Sequence, residues 1–187
     1  DVATGTGDFA IRASKLCPQK ITGIDISEKM LEIGRKKISK KGLEKIITLH
    51  SGEAEKLNFD DNSFDAVIVA FGVRNFENLS AGLNEIFRVL CCDGTVVILE
   101  FSRPYAFPLK QLYRLYFYTI LPAIGKILSK NRSAYSYLPE SVFRFPEGKE
   151  FTNLLKDTGF TDTVLLRLSG GIASVYRGTK KYPKISD

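Results

Sequence analysis

The chain has 187 residues, of which 44% are hydrophobic and 26% charged, with three cysteines and one histidine. That length favours a single domain over residues 1–187 and supports a core without disulfides or structural metal. Sparse cysteines without a Cys-x-x-Cys pair argue against a zinc centre and are typical of a reducing cytosol. We therefore predict a cytoplasmic protein without bound metal.

The formal net charge of +6 is compatible with nucleic acid, an anionic membrane surface or an anionic substrate as partner. We find no Asn-Pro-Pro-aromatic motif, basic tail or aromatic platform, so no nucleic-acid partner is predicted. No apolar run is long enough to span a bilayer. The first residues look like the end of a strand, and we expect a further N-terminal segment before them.

The first 101 residues alternate short apolar strands with helical patterns. Asp1 to Ala3 predicts the tail of a first strand. Further strands are predicted at Ile21 to Ile26, Ile46 to His50, Phe64 to Ala70 and Thr95 to Phe101. Between them, Asp8 and Ser27 are predicted to cap the first two helices. The alternation predicts an α/β, Rossmann-like fold with a mostly parallel sheet and helices on both faces.

Two helices carry apolar stripes that predict their inward faces. The stripe of the second helix comprises Met30, Leu31, Ile33 and Ile38, and the helix is expected to end at Gly42. The stripe of the third helix comprises Leu79, Leu83, Ile86, Phe87 and Leu90.

The C-terminal part of the chain differs in composition. Residues 105–145 are rich in aromatic residues and predict a helical cap or lid inserted into the domain. A helix is predicted from Glu147 to Thr158, ended by Gly159. Strands Thr163 to Leu168 and Ile172 to Gly178 are predicted to form a hairpin, which gives an antiparallel C-terminal edge strand.

A glycine-containing turn and a carboxylate predict a nucleoside cofactor. The turn is Ala3-Thr4-Gly5-Thr6-Gly7, where Gly5 and Gly7 allow close approach of the backbone to a ligand. Asp25 ends the second strand about 20 residues later, a position from which a carboxylate accepts hydrogen bonds from ribose hydroxyls. Ile26, the next residue, is also predicted to bind the cofactor.

The turn favours S-adenosylmethionine over NAD. A dinucleotide pattern has a third glycine where the pyrophosphate meets the helix, but Phe9 and Ala10 stand in that region. Asp8 places negative charge near the same helix start. That charge would repel a pyrophosphate but suits a sulfonium or amino group.

Two further segments complete the predicted site. The first is Gly52-Glu53-Ala54-Glu55, in which a carboxylate beside a small residue suits an adenine edge. The second runs from Val69 to Asn75, where small Ala70 and Gly72 leave room for cofactor and substrate to meet. A loop that merely leads to the next helix is the alternative interpretation of this segment.

At this point the sequence resembles the ubiquinone/menaquinone biosynthesis C-methyltransferases over essentially its whole length. The resemblance rests on the segments DVATGTGDFA, GIDISEKMLEIGRKK, GEAEKLNFDDNSFD, FGVRNF, LEFSRP and SYLPESVFRFP. It implies a class I methyltransferase fold, S-adenosylmethionine as donor and a lipid-tailed demethyl-quinol as acceptor. Carried over by motif, the implied cofactor residues are Thr6, Asp25, Glu53, Ala54 and Ala70, with Gly5 and Gly7 shaping the turn. Glu53 and Ala70 depart from the residues usual in the family.

Arg74 and Asn75 are the predicted catalytic residues. Methylation of a ring carbon requires electron density from a neighbouring hydroxyl as it loses its proton. Arg74 stays protonated, so it would stabilise a phenolate or order a water, while Asn75 would orient that water or a ring oxygen. The alternative for Arg74 is a salt bridge to a helix.

The apolar stretch from Phe107 to Leu121 carries interspersed basic residues. We interpret it as a lid that receives the isoprenoid tail at a peripheral membrane contact, on the inner face of the membrane. The alternatives are a helix buried against the sheet and a homodimer interface. Tyr135, Tyr137, Glu140 and Ser141 are suggested as substrate contacts, with packing of the cap onto the sheet as the alternative. Other apolar acceptors, a nucleic-acid methyltransferase and a non-enzymatic adenosyl-binding protein remain rival functions, and the choice between naphthoquinol and benzoquinol stays open with a preference for the former.

Overall fold

The computed structural model describes residues 1–116, 119 and 139–181. Most of the predicted cap, residues 105–145, lies outside the described residues, and so do Tyr135 and Tyr137, which the sequence suggested as substrate contacts.

Six strands and five named helices make up the described part of the chain. The strands are β1 Ile21–Asp25, β2 Ile47–Ser51, β3 Phe64–Ala70, β4 Leu90–Phe101, β5 Phe160–Leu168 and β6 Ala173–Lys180. The helices are α1 Asp8–Ala13, α2 Glu28–Lys40, α3 Leu79–Val89, α4 Leu109–Leu115 and α5 Lys149–Thr158. A helical segment at 139–144 precedes α5. The predicted strands are therefore present, and β4 begins at Leu90 rather than at the predicted Thr95.

The sheet is mostly parallel. β1 pairs with β2 and β3 with β4, both in parallel, while Val2 bridges in parallel to Ile24 and to Val69. The order across the sheet is thus β2, β1, Val2, β3, β4, β6 and β5. β6 runs antiparallel to both β4 and β5. The predicted antiparallel C-terminal edge is confirmed, with β5 as the outermost strand.

Apolar layers cover both faces of the sheet, which confirms the predicted α/β class. On one face, α3 and α5 contribute Ile86 and Leu155 to the larger core cluster, which includes Ile24. On the other face, α1 and α2 pack a smaller cluster that contains Leu31 and Ile21. Ile21 and Ile24 belong to different clusters because successive side chains of a strand point to opposite faces.

The inward face of α2 differs from the prediction. Met30 and Ile33 are 42% and 48% exposed. The helix turns Gly34 toward the sheet instead, where an added Cβ would lie 2.6 Å from Leu49 Cδ1 and 3.1 Å from the carbonyl oxygen of Thr6. A pattern of apolar side chains does not register a glycine that serves close approach of backbones, so the predicted face was rotated.

The predicted helix caps were also wrong in part. Asp8 is the first residue of α1 rather than its cap, and Gly7 occupies the cap position without a side-chain hydrogen bond. Ser27 does occupy the cap position of α2, but its side chain makes no capping bond. The helix capped by a side chain is α3, where Asn78 Oδ1 accepts from the N–H of Ala81 at 3.0 Å.

Candidate active site

The sequence-predicted site residues all follow the carboxyl ends of neighbouring parallel strands. β2, β1, Val2, β3 and β4 lie side by side, so the segments after them meet at one edge of the sheet. This edge is where ligands bind in open α/β sheets. The predicted residues there are Gly5, Thr6, Gly7, Asp25, Ile26, Glu53, Ala54, Ala70, Arg74 and Asn75.

The turn after Val2 has the left-handed backbone that the sequence predicted. Gly5 and Gly7 have φ of 56° and 72°, and the N–H of Gly7 donates to the carbonyl of Thr4 at 2.9 Å. Ala3 also has a φ of 56°, which is unusual for a residue with a side chain. A Cβ added at Gly5 would lie 3.1 Å from the methyl carbon of Met30, so the turn is lined closely by α2.

Asp25 holds this turn and the start of α2 together. Its Oδ2 accepts from the N–H of Gly5 at 2.8 Å, and its Oδ1 accepts from the N–H of Ser27 at 2.8 Å. Each carboxylate oxygen can accept two hydrogen bonds and accepts one of these two, so each retains one acceptor position. The carboxylate is therefore held rigidly while both oxygens can still accept from vicinal hydroxyls such as those of a ribose.

Asp8 is engaged in a hydrogen-bonded triad that the sequence did not predict. Lys37 of α2 donates through Nζ to Asp8 Oδ2 at 2.6 Å and to Thr6 Oγ1 at 2.8 Å, and the Thr6 hydroxyl donates to Asp8 at 2.6 Å. The bond from Lys37, helped by that from Thr6, lowers the pKa of Asp8. The carboxylate predicted to sit near a sulfonium is thus paired with an ammonium.

The residues that follow β1 and β2 include exposed side chains beside Asp25. Ile26 is 76% exposed, and Glu53, which follows β2, is exposed as well. Ala54 is buried in the larger core cluster, so it can offer a ligand little beyond its backbone. The N–H of Gly52 donates to the carbonyl of Asp25 at 3.1 Å, which keeps the two strand ends together.

Arg74 lies in the 3₁₀ turn Val73–Asn75 after β3, and its partner is on a strand rather than a helix. Its Nη1 donates to Glu100 Oε1 at 2.8 Å and also to the carbonyl of Phe71. The guanidinium carbon lies 5.4 Å from the ring centroid of Phe101. The Arg74 side chain is 11% exposed, and its Nε has no hydrogen-bond partner among the residues that the structure describes.

Glu100, near the end of β4, is a functional candidate that the sequence interpretation missed. It is fully buried and also accepts from the N–H groups of Arg74 at 3.3 Å and Phe101 at 2.8 Å. Burial raises the pKa of Glu100, and the positive charge of Arg74 opposes that rise. The available signal was a carboxylate that directly follows the apolar run Val96 to Leu99, because buried carboxylates require partners.

A cavity of about 300 Å³ opens beside Arg74. Its lining residues are Val73, Arg74, Phe76, Leu79, Glu140, Ser141, Arg144, Phe145 and Pro146. The structure therefore brings Glu140 and Ser141, which the sequence suggested as substrate contacts, to the same cavity as Arg74. Arg144 donates to Glu140 at 2.6 Å on the rim.

Metal binding requires grouped ligand side chains, and crossing a membrane requires a long apolar helix. In the part of the chain that the structure describes, no three His, Cys, Asp or Glu side chains are grouped as metal ligands. Among those same residues, no helix combines the length and the apolar character that crossing a bilayer requires.

The architecture matches those of known S-adenosylmethionine-dependent methyltransferases. A methyltransferase of this kind from Aquifex aeolicus superposes with a TM-score of 0.69 at 20% identity, covering 96% of this chain and 79% of that one. Phosphoethanolamine N-methyltransferase 2 from Haemonchus contortus, solved with S-adenosylmethionine, gives 0.71 at 14% identity over 97% of this chain and 48% of that one. The fold and the site at the strand ends define a class I S-adenosylmethionine-dependent methyltransferase.

The sequence narrows this class to one family. Residues 1–180 match the model of the ubiE/COQ5 methyltransferase family, and the chain belongs to that family. It is 48% identical to the demethylmenaquinone methyltransferase of Bacteroides fragilis, over 96% of this chain and 74% of that protein. It is 45% identical to the ubiquinone/menaquinone biosynthesis C-methyltransferase of Citrifermentans bemidjiense, over 96% and 77% respectively. The predicted family, methyl donor and fold are confirmed.

Proposed function

We propose that this protein methylates a ring carbon of a polyprenylated demethyl-quinol, with S-adenosylmethionine as donor, in menaquinone or ubiquinone synthesis. The observation that carries the proposal is the close approach of the turn formed by residues 3–7 to Gly72, which directly precedes the cavity-lining residues Val73 and Arg74. A Cβ added at Gly72 would lie 2.4 Å from the Cβ of Ala3. Donor and acceptor bound on either side of this contact would be adjacent.

The residues at the strand ends fit the donor. When bound, S-adenosylmethionine supplies an electrophilic methyl group on a sulfonium. The two open acceptor positions of Asp25 suit the ribose hydroxyls, and exposed Ile26 offers an apolar surface to the adenine. The turn of Gly5, Thr6 and Gly7 suits the amino-acid end of the molecule, because positive φ at its glycines brings the backbone into position for close approach to a ligand.

The remaining predicted cofactor residues have smaller roles. Glu53 is exposed beside Asp25, so its carboxylate is available to the exocyclic amino group of adenine. Ala54 and Ala70 act through their backbone and through their small size, since neither side chain can form a hydrogen bond.

Arg74 and Asn75 are the proposed catalytic residues. The hydroxyl beside the acceptor carbon would give up its proton before that carbon takes the methyl group, so its oxygen would carry negative charge, and the ring proton would leave afterwards to restore the aromatic ring. Arg74 is fixed on the cavity wall and stays protonated, so it can stabilise that oxygen electrostatically. Asn75, next in the same turn, would orient the oxygen or a water that takes the proton.

A turnover assay with Arg74→Ala tests this assignment. We expect turnover of a demethyl-naphthoquinol or demethyl-benzoquinol to fall by about 100-fold or more, since one electrostatic donor contributes that much in other enzymes. The dissociation constant for S-adenosylmethionine, measured by calorimetry, should change by no more than about twofold, because Arg74 is assigned to the acceptor and not to the donor. Arg177→Ala, which removes an exposed arginine side chain of β6, is the matched control. Equal losses in donor binding and turnover would contradict the catalytic role.

The acceptor class is tested by offering quinols, sterols and simple phenols to the wild-type chain. We propose a naphthoquinol as the preferred acceptor, which the name of the Bacteroides fragilis relative supports. Methylation of a phenol or sterol without methylation of any quinol would replace this acceptor with another apolar molecule. Salt-dependent RNA binding would favour the nucleic-acid alternative.

We also propose a peripheral contact with an anionic membrane through the segment around α4. Phe107, Leu112 and Leu115 are 81%, 57% and 52% exposed. Residues 101–139 hold six of the 27 basic residues and none of the 21 acidic ones, so the other basic residues balance the acidic residues. The formal net charge therefore resides in this apolar segment, as expected for a surface that meets anionic lipid. A homodimer interface is the competing role for the same residues.

A further inference from the structure

The buried pair of Arg74 and Glu100 joins the cavity wall to the interior of the sheet. Glu100 sits on β4, the strand next to β3, and accepts from both the side chain and the backbone N–H of Arg74. The carboxylate thereby fixes the guanidinium relative to the turn that carries it. Its third bond, from the N–H of Phe101, holds the carboxylate itself in place.

Aromatic and backbone contacts restrict the guanidinium further. Phe101 lies under it, and the Phe71 ring packs on Phe101 with centroids 4.5 Å apart. The carbonyl of Phe71 accepts from the same Nη1 that bonds to Glu100. Within the described parts of the chain, the partners of Arg74 are therefore on the side of the sheet end and its Nε has no hydrogen-bond partner, while the side chain lines the cavity.

We propose that Glu100 is a positioning residue for methyl transfer, which acts by holding Arg74 in one orientation at the cavity wall. This inference rests on the proposed catalytic role of Arg74. An arginine with a flexible side chain would have to be ordered during each turnover, whereas one held by a buried carboxylate is ordered in advance. Glu100 touches neither donor nor acceptor in this proposal.

The test combines Glu100→Gln with Arg74→Ala in a double-mutant cycle. Glu100→Gln should lower kcat by about 10- to 100-fold, the effect of a misplaced catalytic group, with donor affinity unchanged within about twofold. Adding Glu100→Gln to Arg74→Ala should cause no further loss, because Arg74 transmits the effect. A Glu100→Gln variant as fast as wild type, or losses that multiply in the double variant, would overturn the proposal.

Glu85→Gln is the matched control. Glu85 on α3 also accepts from one arginine, Arg88, and from one backbone N–H, that of Leu57, but Arg88, unlike Arg74, does not line the cavity. It should lower stability without lowering kcat. If Glu85→Gln slows turnover as much as Glu100→Gln does, loss of stability explains both results and the positioning role is refuted.

A measurement on the wild-type chain serves where Glu100→Gln does not fold. The two Nη groups of Arg74, assigned by their loss in Arg74→Ala, should give separate nitrogen resonances, because the bonds from Nη1 to Glu100 and to the carbonyl of Phe71 stop rotation about the Nε–Cζ bond. A single averaged Nη resonance would overturn the proposal. A wild-type chain that binds S-adenosylmethionine but methylates no quinol would instead contradict the proposed acceptor, while the Nη resonances would still report on the orientation of Arg74.

Discussion

At the scale of single residues, Asp25 shows how one side chain can both build a site and bind a ligand. Its two oxygens accept from Gly5 and Ser27, which lie on opposite sides of β1 in the sequence. A neighbouring carboxylate, Asp8, accepts instead from the Lys37 ammonium and the Thr6 hydroxyl, both at Oδ2. The sequence could place a carboxylate at the strand end, but only the structure distinguishes the carboxylate that orders the turn from the one paired with a lysine.

Replacing Asp25 tests the donor site directly. Asp25→Ala removes two hydrogen bonds from ligand hydroxyls to a charged group, so the dissociation constant for S-adenosylmethionine should rise by about 100-fold. Isothermal titration calorimetry measures it, and circular dichroism checks that the chain is folded. Asp157→Ala, an exposed aspartate at the end of α5, is the control. Unchanged affinity in Asp25→Ala would place the donor elsewhere.

At the scale of elements, hydrogen bonds and ion pairs of one arginine attach a loop to a helix. Arg88 of α3 donates to the carbonyls of Leu57 and Phe59 and to the carboxylates of Asp61 and Glu85. The polar loop after β2 is thus held on α3. The sequence predicted this loop and this helix separately, and their connection depends on residues roughly 30 positions apart.

The pH dependence of this connection can be predicted. The hydrogen bond from Arg88 lowers the pKa of Glu85, so its contribution is present above the unfolded-state pKa and is lost as pH falls through the folded-state value. Glu85→Gln should lower the free energy of unfolding by about 1–3 kcal/mol at pH 7. The difference from wild type should shrink below pH of about 4.

Urea unfolding across this pH range measures the effect. Glu32→Gln on the exposed side of α2 provides the control, since it removes a carboxylate that forms no ion pair with any described residue. A difference between Glu85→Gln and wild type that is the same at pH 7 and at acid pH would contradict the assigned charge interaction.

At the scale of the whole molecule, charge is unevenly distributed. The residues outside 101–139 are balanced, and the net positive charge lies in the segment that also carries the exposed apolar side chains of α4. A membrane with anionic lipid would meet both features together. The candidate site lies close to α4, because Tyr113 of α4 packs in one cluster with Val142, whose helical segment supplies Ser141 to the cavity lining.

Vesicle flotation tests this contact. The wild-type chain should float with vesicles containing anionic lipid at low salt, and Lys110→Glu combined with Arg114→Glu should weaken binding by about 30-fold or more. Lys36→Glu combined with Lys40→Glu makes the same change of charge on α2. No flotation of the wild type, with or without anionic lipid, would remove the membrane role and leave a dimer interface as the alternative.

The sequence by itself determined the alternation of elements, the parallel sheet with its C-terminal hairpin, the glycine turn and the carboxylate at the end of β1. These features depend on neighbouring residues: periodic apolar side chains, residues that permit positive φ and strand ends. The segment FGVRNF, through its resemblance to the family, indicates Arg74 as a catalytic candidate without knowledge of its contacts.

Only the tertiary structure decided which charged groups are paired and which face of α2 is inward. Glu100 meets Arg74, and Lys37 meets Asp8, across 26 and 29 residues of sequence. Such pairs form because strands and helices distant in the chain pack side by side, and each buried charge must then find a partner. Gly34 faces the sheet for a similar reason, since the space left by Leu49 and Thr6 exists only after the chain has folded.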